Sequence, residues 1–222
     1  MDSRLPATVE PLGSRRAAWT LLLAATLLLA ACGAPREPPL PAGSTVLIVG
    51  DSITAGLGVA PELAWPARLA ETTGWHVVAA GVSGDRTASG RERLPGLLAE
   101  HAPALVIIEL GGNDLLRRVP EAEIAANLDA MIAAARAAGA RIALMAAPQP
   151  TVVGALTGLS AAALYRDVAD RHRVPLIARA LPSVLSEDRL KQDALHPTAE
   201  GHGVLAQRVA DELRAIGLLP KR

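Results

Sequence analysis

From Thr45 onward, short apolar runs alternate with longer stretches of helical periodicity, and this rhythm leaves few architectures open to the chain. The runs are nearly continuous in Val, Ile, Leu and Ala instead of alternating with polar residues. That is the pattern of strands covered on both faces, so the runs point to a parallel sheet built from βαβ units. The predicted strands are Thr45 to Val49, His76 to Ala80, Leu105 to Leu110, Ile142 to Met145 and Val174 to Ile177. Pro175 has no N–H to offer a ladder, which places the last strand at an edge. Ile124, Leu128, Met131 and Ala135 recur at helical spacing and stop before Gly139, marking an amphipathic helix with a glycine just past its end. Further helices are expected near Glu62 to Thr72, Pro95 to His101, Ser160 to His172 and Thr198 to Ile216. No internal repeat or second linker interrupts this stretch. Residues 44–222 are therefore expected to form one three-layer α/β/α sandwich around a mostly parallel sheet of about five strands.

Composition removes several kinds of function. Twenty-two Lys plus Arg balance 22 Asp plus Glu, so the chain has no phosphate-neutralising surface, and its only aromatics, Trp19, Trp65, Trp75 and Tyr165, are too few to stack bases; no nucleic-acid partner is expected. One Cys and five His without ligand spacing argue against a metal site. No GxGxxG opens a helix and no GxxxxGK[ST] occurs, so no nucleotide cofactor is expected.

The first residues read differently. Arg15 and Arg16 precede an apolar run from Ala17 to Ala31, which closes on Leu29, Ala30, Ala31 and Cys32. A charged start, a short apolar stretch and small residues at a cut site make an export signal over residues 1–31. The run is shorter than the ~20 residues a spanning helix needs, which disfavours an uncleaved anchor. Residues 32–43 carry Pro35, Pro38, Pro39 and Pro41, a semi-rigid tether.

In a sheet of this kind ligands bind beyond the carboxyl ends of the strands. The segments there are Gly50 to Gly56 (GDSITAG), Gly81 to Asp85 (GVSGD), Gly111 to Asp114 (GGND) and, on the approach to the last helix, Asp193 to Pro197 (DALHP). Any one of these alone serves a turn or a helix cap. Together they bring a serine, a histidine three residues after an aspartate, glycine-bearing turns and an asparagine to one rim. That is a nucleophile, a base, an orienting acid and oxyanion donors. Asp51, Asp85 and Asp114 are read as acids that brace turns, and His202 as a solvated or packing residue. His76, His101 and His172 have no role. The segment from Ala146 to Leu159 is long and apolar for a plain connection; it lines an acyl pocket, covers one, or packs as an Ω-loop.

These four blocks, in this order, resemble the SGNH hydrolases (GDSL-type esterases and lipases) across essentially the whole of residues 44–219, nearest to the bacterial thioesterase, lysophospholipase and arylesterase branch. The resemblance implies a flavodoxin-like hydrolase fold and an acyl ester or thioester as small-molecule substrate, with no cofactor. It makes Ser52 the nucleophile, Asp193 and His196 its acid and base, and Ser52, Gly84 and Asn113 the oxyanion hole. Ala79 departs from the branch, which usually has Asn there to support the loop that follows. GxSxG, the nucleophile elbow of a different hydrolase fold, does not occur. Leu29 to Cys32 resembles the lipobox of bacterial lipoproteins, which implies that Cys32 is lipidated and that the domain sits at an envelope membrane. Two alternatives stay open: deacetylation of envelope glycans by the same residues, and a binding lipoprotein without turnover.

Overall fold

The computed structural model describes residues 38–150 and 158–220. Cys32, the expected export signal and most of the expected tether lie outside these residues. Five strands, β1 (Thr45–Gly50), β2 (His76–Gly81), β3 (Leu105–Glu109), β4 (Arg141–Met145) and β5 (Leu176–Ile177), pair in parallel in the order β2-β1-β3-β4-β5. The expected sheet is therefore present, with the strand that follows Pro175 at its edge.

Alternation along the buried strands makes two apolar layers. Val46, Ile48, Leu105 and Ile107 pack with Trp65 and Leu69 of α2 (Trp65–Thr73) and with Leu205, Val209 and Leu213 of α8 (Ala199–Ala215). Leu47, Val49, Val106 and Ile108 pack on the other face. Their partners are Leu94 of α3 (Thr87–His101), Leu128 and Met131 of α5 (Glu121–Ala137), and Tyr165 of α6 (Ala163–His172). Each fully buried Leu or Ile contributes about 2 kcal/mol by leaving water, so these layers dominate the stability of the sandwich.

Helix boundaries depart from the sequence reading where a distant residue sets them. α3 begins at Thr87, not near Pro95. The reason lies 27 residues away: Asp114 accepts from the Thr87 N–H at 3.0 Å and from its hydroxyl at 2.8 Å, fixing the first turn. Pro95 is accommodated inside the helix. α6 starts at Ala163 because Ser160 to Ala162 are occupied in backbone bonds with Ala147 to Gln149. β5 is short because the Val174 N–H returns to Ala169 at the end of α6. Three short helices lack any apolar period: α1 (Ser52–Ala55), α4 (Gly112–Leu116) and α7 (Ala180–Leu185). No helix among the described residues is long and apolar enough to cross a membrane.

Candidate active site

The site is assembled at the carboxyl edge of the sheet. β1 ends at Gly50, and the next residue, Asp51, caps α1 by accepting from the Ile53 N–H at 3.0 Å. Ser52 opens that helix, 8% exposed, with its Oγ 3.0 Å from Nε2 of His196. Nδ1 of His196 lies 2.9 Å from Oδ2 of Asp193. The Asp193 carboxylate also accepts the N–H groups of Leu195 (2.7 Å) and His196 (2.9 Å), which, with the histidine ring, hold it below the usual carboxylate range. A carboxylate acceptor at Nδ1 puts the imidazole proton there and leaves Nε2 free to accept from the serine hydroxyl; the hydrogen-bond network assigns this tautomer. The turn carrying both residues is closed by Gln192 N–H to His196 O at 2.9 Å, and Gln192 Nε2 ties it to Leu57 O at 2.9 Å.

Two further segments reach the same place. β2 ends at Gly81 and runs through Ser83 to Gly84, whose φ of 79° is a left-handed conformation that glycine adopts without strain. The backbone N–H groups of Ser52 and Gly84 make no hydrogen bond among the described residues. β3 leads into Asn113, whose Nδ2 donates to Asp51 Oδ2 at 3.0 Å. A primary amide has two N–H bonds, so this contact fixes its plane and leaves the second available. Ser52, Gly84, Asn113 and His196 all line one cavity of about 320 Å³, whose walls are chiefly apolar, among them Leu116, Leu181 and Leu185.

The bracing acids behave as expected. Asp85 pairs with Arg93 at 2.8 Å, and the same guanidinium donates to Gly50 O at 3.0 Å, fastening the Gly84 loop. That loop is further held by Val82 N–H to Gly50 O at 3.1 Å, while Ala79 is an exposed residue of β2. Asp114 anchors α3 as described. Asp51 does more than brace, because it also orients Asn113. His202 is not solvated: it is fully buried, with Nδ1 accepting from the Trp65 N–H at 3.2 Å, so its packing role holds. His172 pairs with Asp129 at 2.8 Å away from the site. Of the segment from Ala146 to Leu159, Ala147 to Pro150 and Leu159 line the cavity; residues 151–157 lie outside the described residues.

Sequence reasoning missed Glu109. It is a lone acid closing the apolar run of β3, 3% exposed and facing the same cavity. An acid inside a strand that is otherwise wholly apolar was the available signal. Burial, and then the Asp51 charge, push its carboxyl well above the usual range, while burial lifts Asp51 to about 6. Among the described residues no three His, Cys, Asp or Glu side chains gather to hold a metal ion.

Comparison with known proteins agrees with this geometry. Residues 48–204 match the GDSL-like Lipase/Acylhydrolase family. The chain is 39% identical over 181 residues to Esterase TesA of Pseudomonas aeruginosa, covering 79% of this chain and 90% of that one. Against Thioesterase 1/protease 1/lysophospholipase L1 of Escherichia coli K12 it is 33% identical over 180 residues, 79% of this chain and 86% of the relative. The crystal structure of TesA superposes with a TM-score of 0.68 at 36% identity, over 78% of this chain and 99% of the other. The chain thus belongs to the GDSL-like lipase and acylhydrolase family, the SGNH serine hydrolases that cleave esters.

Proposed function

We propose that Ser52 is the nucleophile of an acyl ester or thioester hydrolase of arylesterase, acyl thioesterase or lysophospholipase type. The observation that carries this reading is the unbroken line from Ser52 Oγ to His196 Nε2 at 3.0 Å and from Nδ1 to Asp193 at 2.9 Å, opening into an apolar cavity. His196 takes the hydroxyl proton as Oγ adds to the acyl carbonyl, and Asp193 stabilises the imidazolium that forms. The C–O or C–S bond then breaks, and the leaving group departs with the proton from His196. Water, deprotonated by the same imidazole, cleaves the acyl-enzyme and restores Ser52. The N–H groups of Ser52 and Gly84 and the amide of Asn113 meet the oxyanion; one such donor is worth ~2.7 to 4 kcal/mol. Walls formed by residues such as Leu181 and Leu185 favour an acyl chain over a glycan acetyl group. A complete serine, histidine and aspartate set speaks against a binding-only role. Ser52→Ala is expected to abolish hydrolysis of a short nitrophenyl ester and labelling by a serine-directed phosphonate; wild-type turnover in that variant would overturn the mechanism.

For the remainder of the chain, the proposed organisation is an export signal over residues 1–31, a tether over 32–43 and the hydrolase domain over 44–222. Cys32 is the lipidated first residue, holding the domain at a bacterial envelope membrane. Its support is the sequence Leu29, Ala30, Ala31, Cys32 after a short apolar run. Cys32→Ser is expected to leave the membrane fraction or to remain unprocessed, and an unmodified mass for protein made with its own signal would overturn the assignment.

A further inference from the structure

Among the described residues Glu109 forms no salt bridge. Its carboxyl is held by donors from the β1–α1 turn: Oε2 accepts from the Asp51 N–H at 3.3 Å and from the Thr54 hydroxyl at 2.8 Å, and the Thr54 N–H also points to it. A buried carboxyl without a cation is less favourable there than an apolar residue of the same shape, so packing alone does not account for it. The neighbouring strand is built around it. A Cβ on Gly50 would stand 2.2 Å from Thr54 Oγ1 and 2.6 Å from Glu109 Oε2, closer than real Cβ atoms come, so β1 gives up a side chain to admit the pair.

The bonds continue from there into the reaction site. Asp51, held at its N–H by Glu109, accepts from Ile53 N–H on one carboxylate oxygen and from Asn113 Nδ2 on the other. We propose that Glu109 is a positioning residue for ester cleavage: with Thr54 it fixes the backbone and carboxylate of Asp51, and through Asp51 it sets the direction of the second Asn113 N–H. The proposal rests on Asn113 being an oxyanion donor. Burial and the neighbouring Asp51 charge both favour its protonated form. The acid beside it is Asp51, and its field reaches the buried Tyr165 hydroxyl. A second anion beside Asp51 would displace the carboxylate that Glu109 holds in place.

The test is a double-variant cycle on the whole protein, reading kcat, KM and thermal midpoint with a nitrophenyl ester. Asn113→Ala is expected to lower kcat ~100-fold or more with KM little changed. Glu109→Met, which fills the volume without an acceptor, is expected to lower kcat ~10-fold or more in folded protein, again with little change in KM. Glu109→Gln, which keeps the acceptor oxygen and cannot ionise, is expected to recover most of that loss. In the Asn113→Ala background, Glu109→Met is expected to cost no further rate, because the group it positions is gone. Multiplying losses in the double variant, a normal kcat in Glu109→Met, or a Gln variant as slow as Met would each overturn the proposal while leaving Asn113 in the site. Should Glu109→Met not fold, Thr54→Val, which removes the hydroxyl donor, carries the same non-additivity test. Wild-type kcat in Asn113→Ala would remove the oxyanion assignment and this proposal together.

Discussion

His202 offers a quantitative check on the packing beneath the site. It is fully buried, its Nδ1 accepts from the Trp65 N–H, and its Nε2 has no hydrogen-bond partner among the described residues. Charging the ring would bring a proton to Nδ1 facing another donor, in a buried position. Burial accordingly lowers its pKa from 6.5 to about 4. The unfolded chain binds this proton near pH 6.5 and the folded chain only near 4, so between them the unfolded state holds more protons and stability falls as pH falls. The full effect is about 3 kcal/mol, intact above pH 6.5 and lost below 4, with about 2 kcal/mol already gone at pH 5. Asp51 works in the opposite sense. Its folded carboxyl keeps a proton up to about pH 6, against 3.8 in the unfolded chain, and so favours the folded state below pH 6. The wild-type profile alone therefore hides both. Comparing wild type with His202→Asn by urea unfolding at pH 7 and pH 5 cancels Asp51 and isolates the imidazole. At pH 7 the variant is expected to be less stable by about 1 to 2 kcal/mol, from lost packing volume. At pH 5 the gap is expected to close by about 2 kcal/mol. A gap that stays constant between the two pH values would refute the account of a buried neutral imidazole.

Asp193→Asn, assayed at pH 7, is expected to lose ~1,000-fold or more in kcat, because an amide can present N–H to Nδ1 and favour the wrong tautomer; an active Asn variant would remove Asp193 from the mechanism. Gly50→Ala is expected to lower the thermal midpoint and kcat together, since its Cβ strikes Thr54 and Glu109, and a stable, fully active variant would contradict the close packing described. Arg93→Met is expected to loosen the Gly84 loop and reduce kcat more than it changes KM, with an unchanged kcat counting against the brace.

The two halves of the site differ in how they are encoded, and that difference explains what could be read in advance. The proposed acid and base lie in one turn, Asp193 three residues from His196, with the carboxylate fastened to the backbone of that same turn. Such a unit is visible in five consecutive letters. The oxyanion half is not local. Gly50 stands beside Gly81 on one side and Glu109 on the other in the strand register, and it is this register that brings Ser52, Gly84 and Asn113 to one rim. Turn-like glycines at predicted strand ends announced that rim, because the apolar runs fixed where each strand stops. What they could not announce was the direction of any side chain on it. Asn113 is aimed by Asp51, 62 residues earlier, and Asp51 is held by Glu109, 58 residues later. The start of α3 was hidden for the same reason, its anchor being Asp114. Glu109 drew no notice inside the predicted strand Leu105 to Leu110, although its cost of burial is the sign that the position serves more than packing. In this fold the residues proposed to react are spelled out at strand ends, while those proposed to aim them are read only once the strands are side by side.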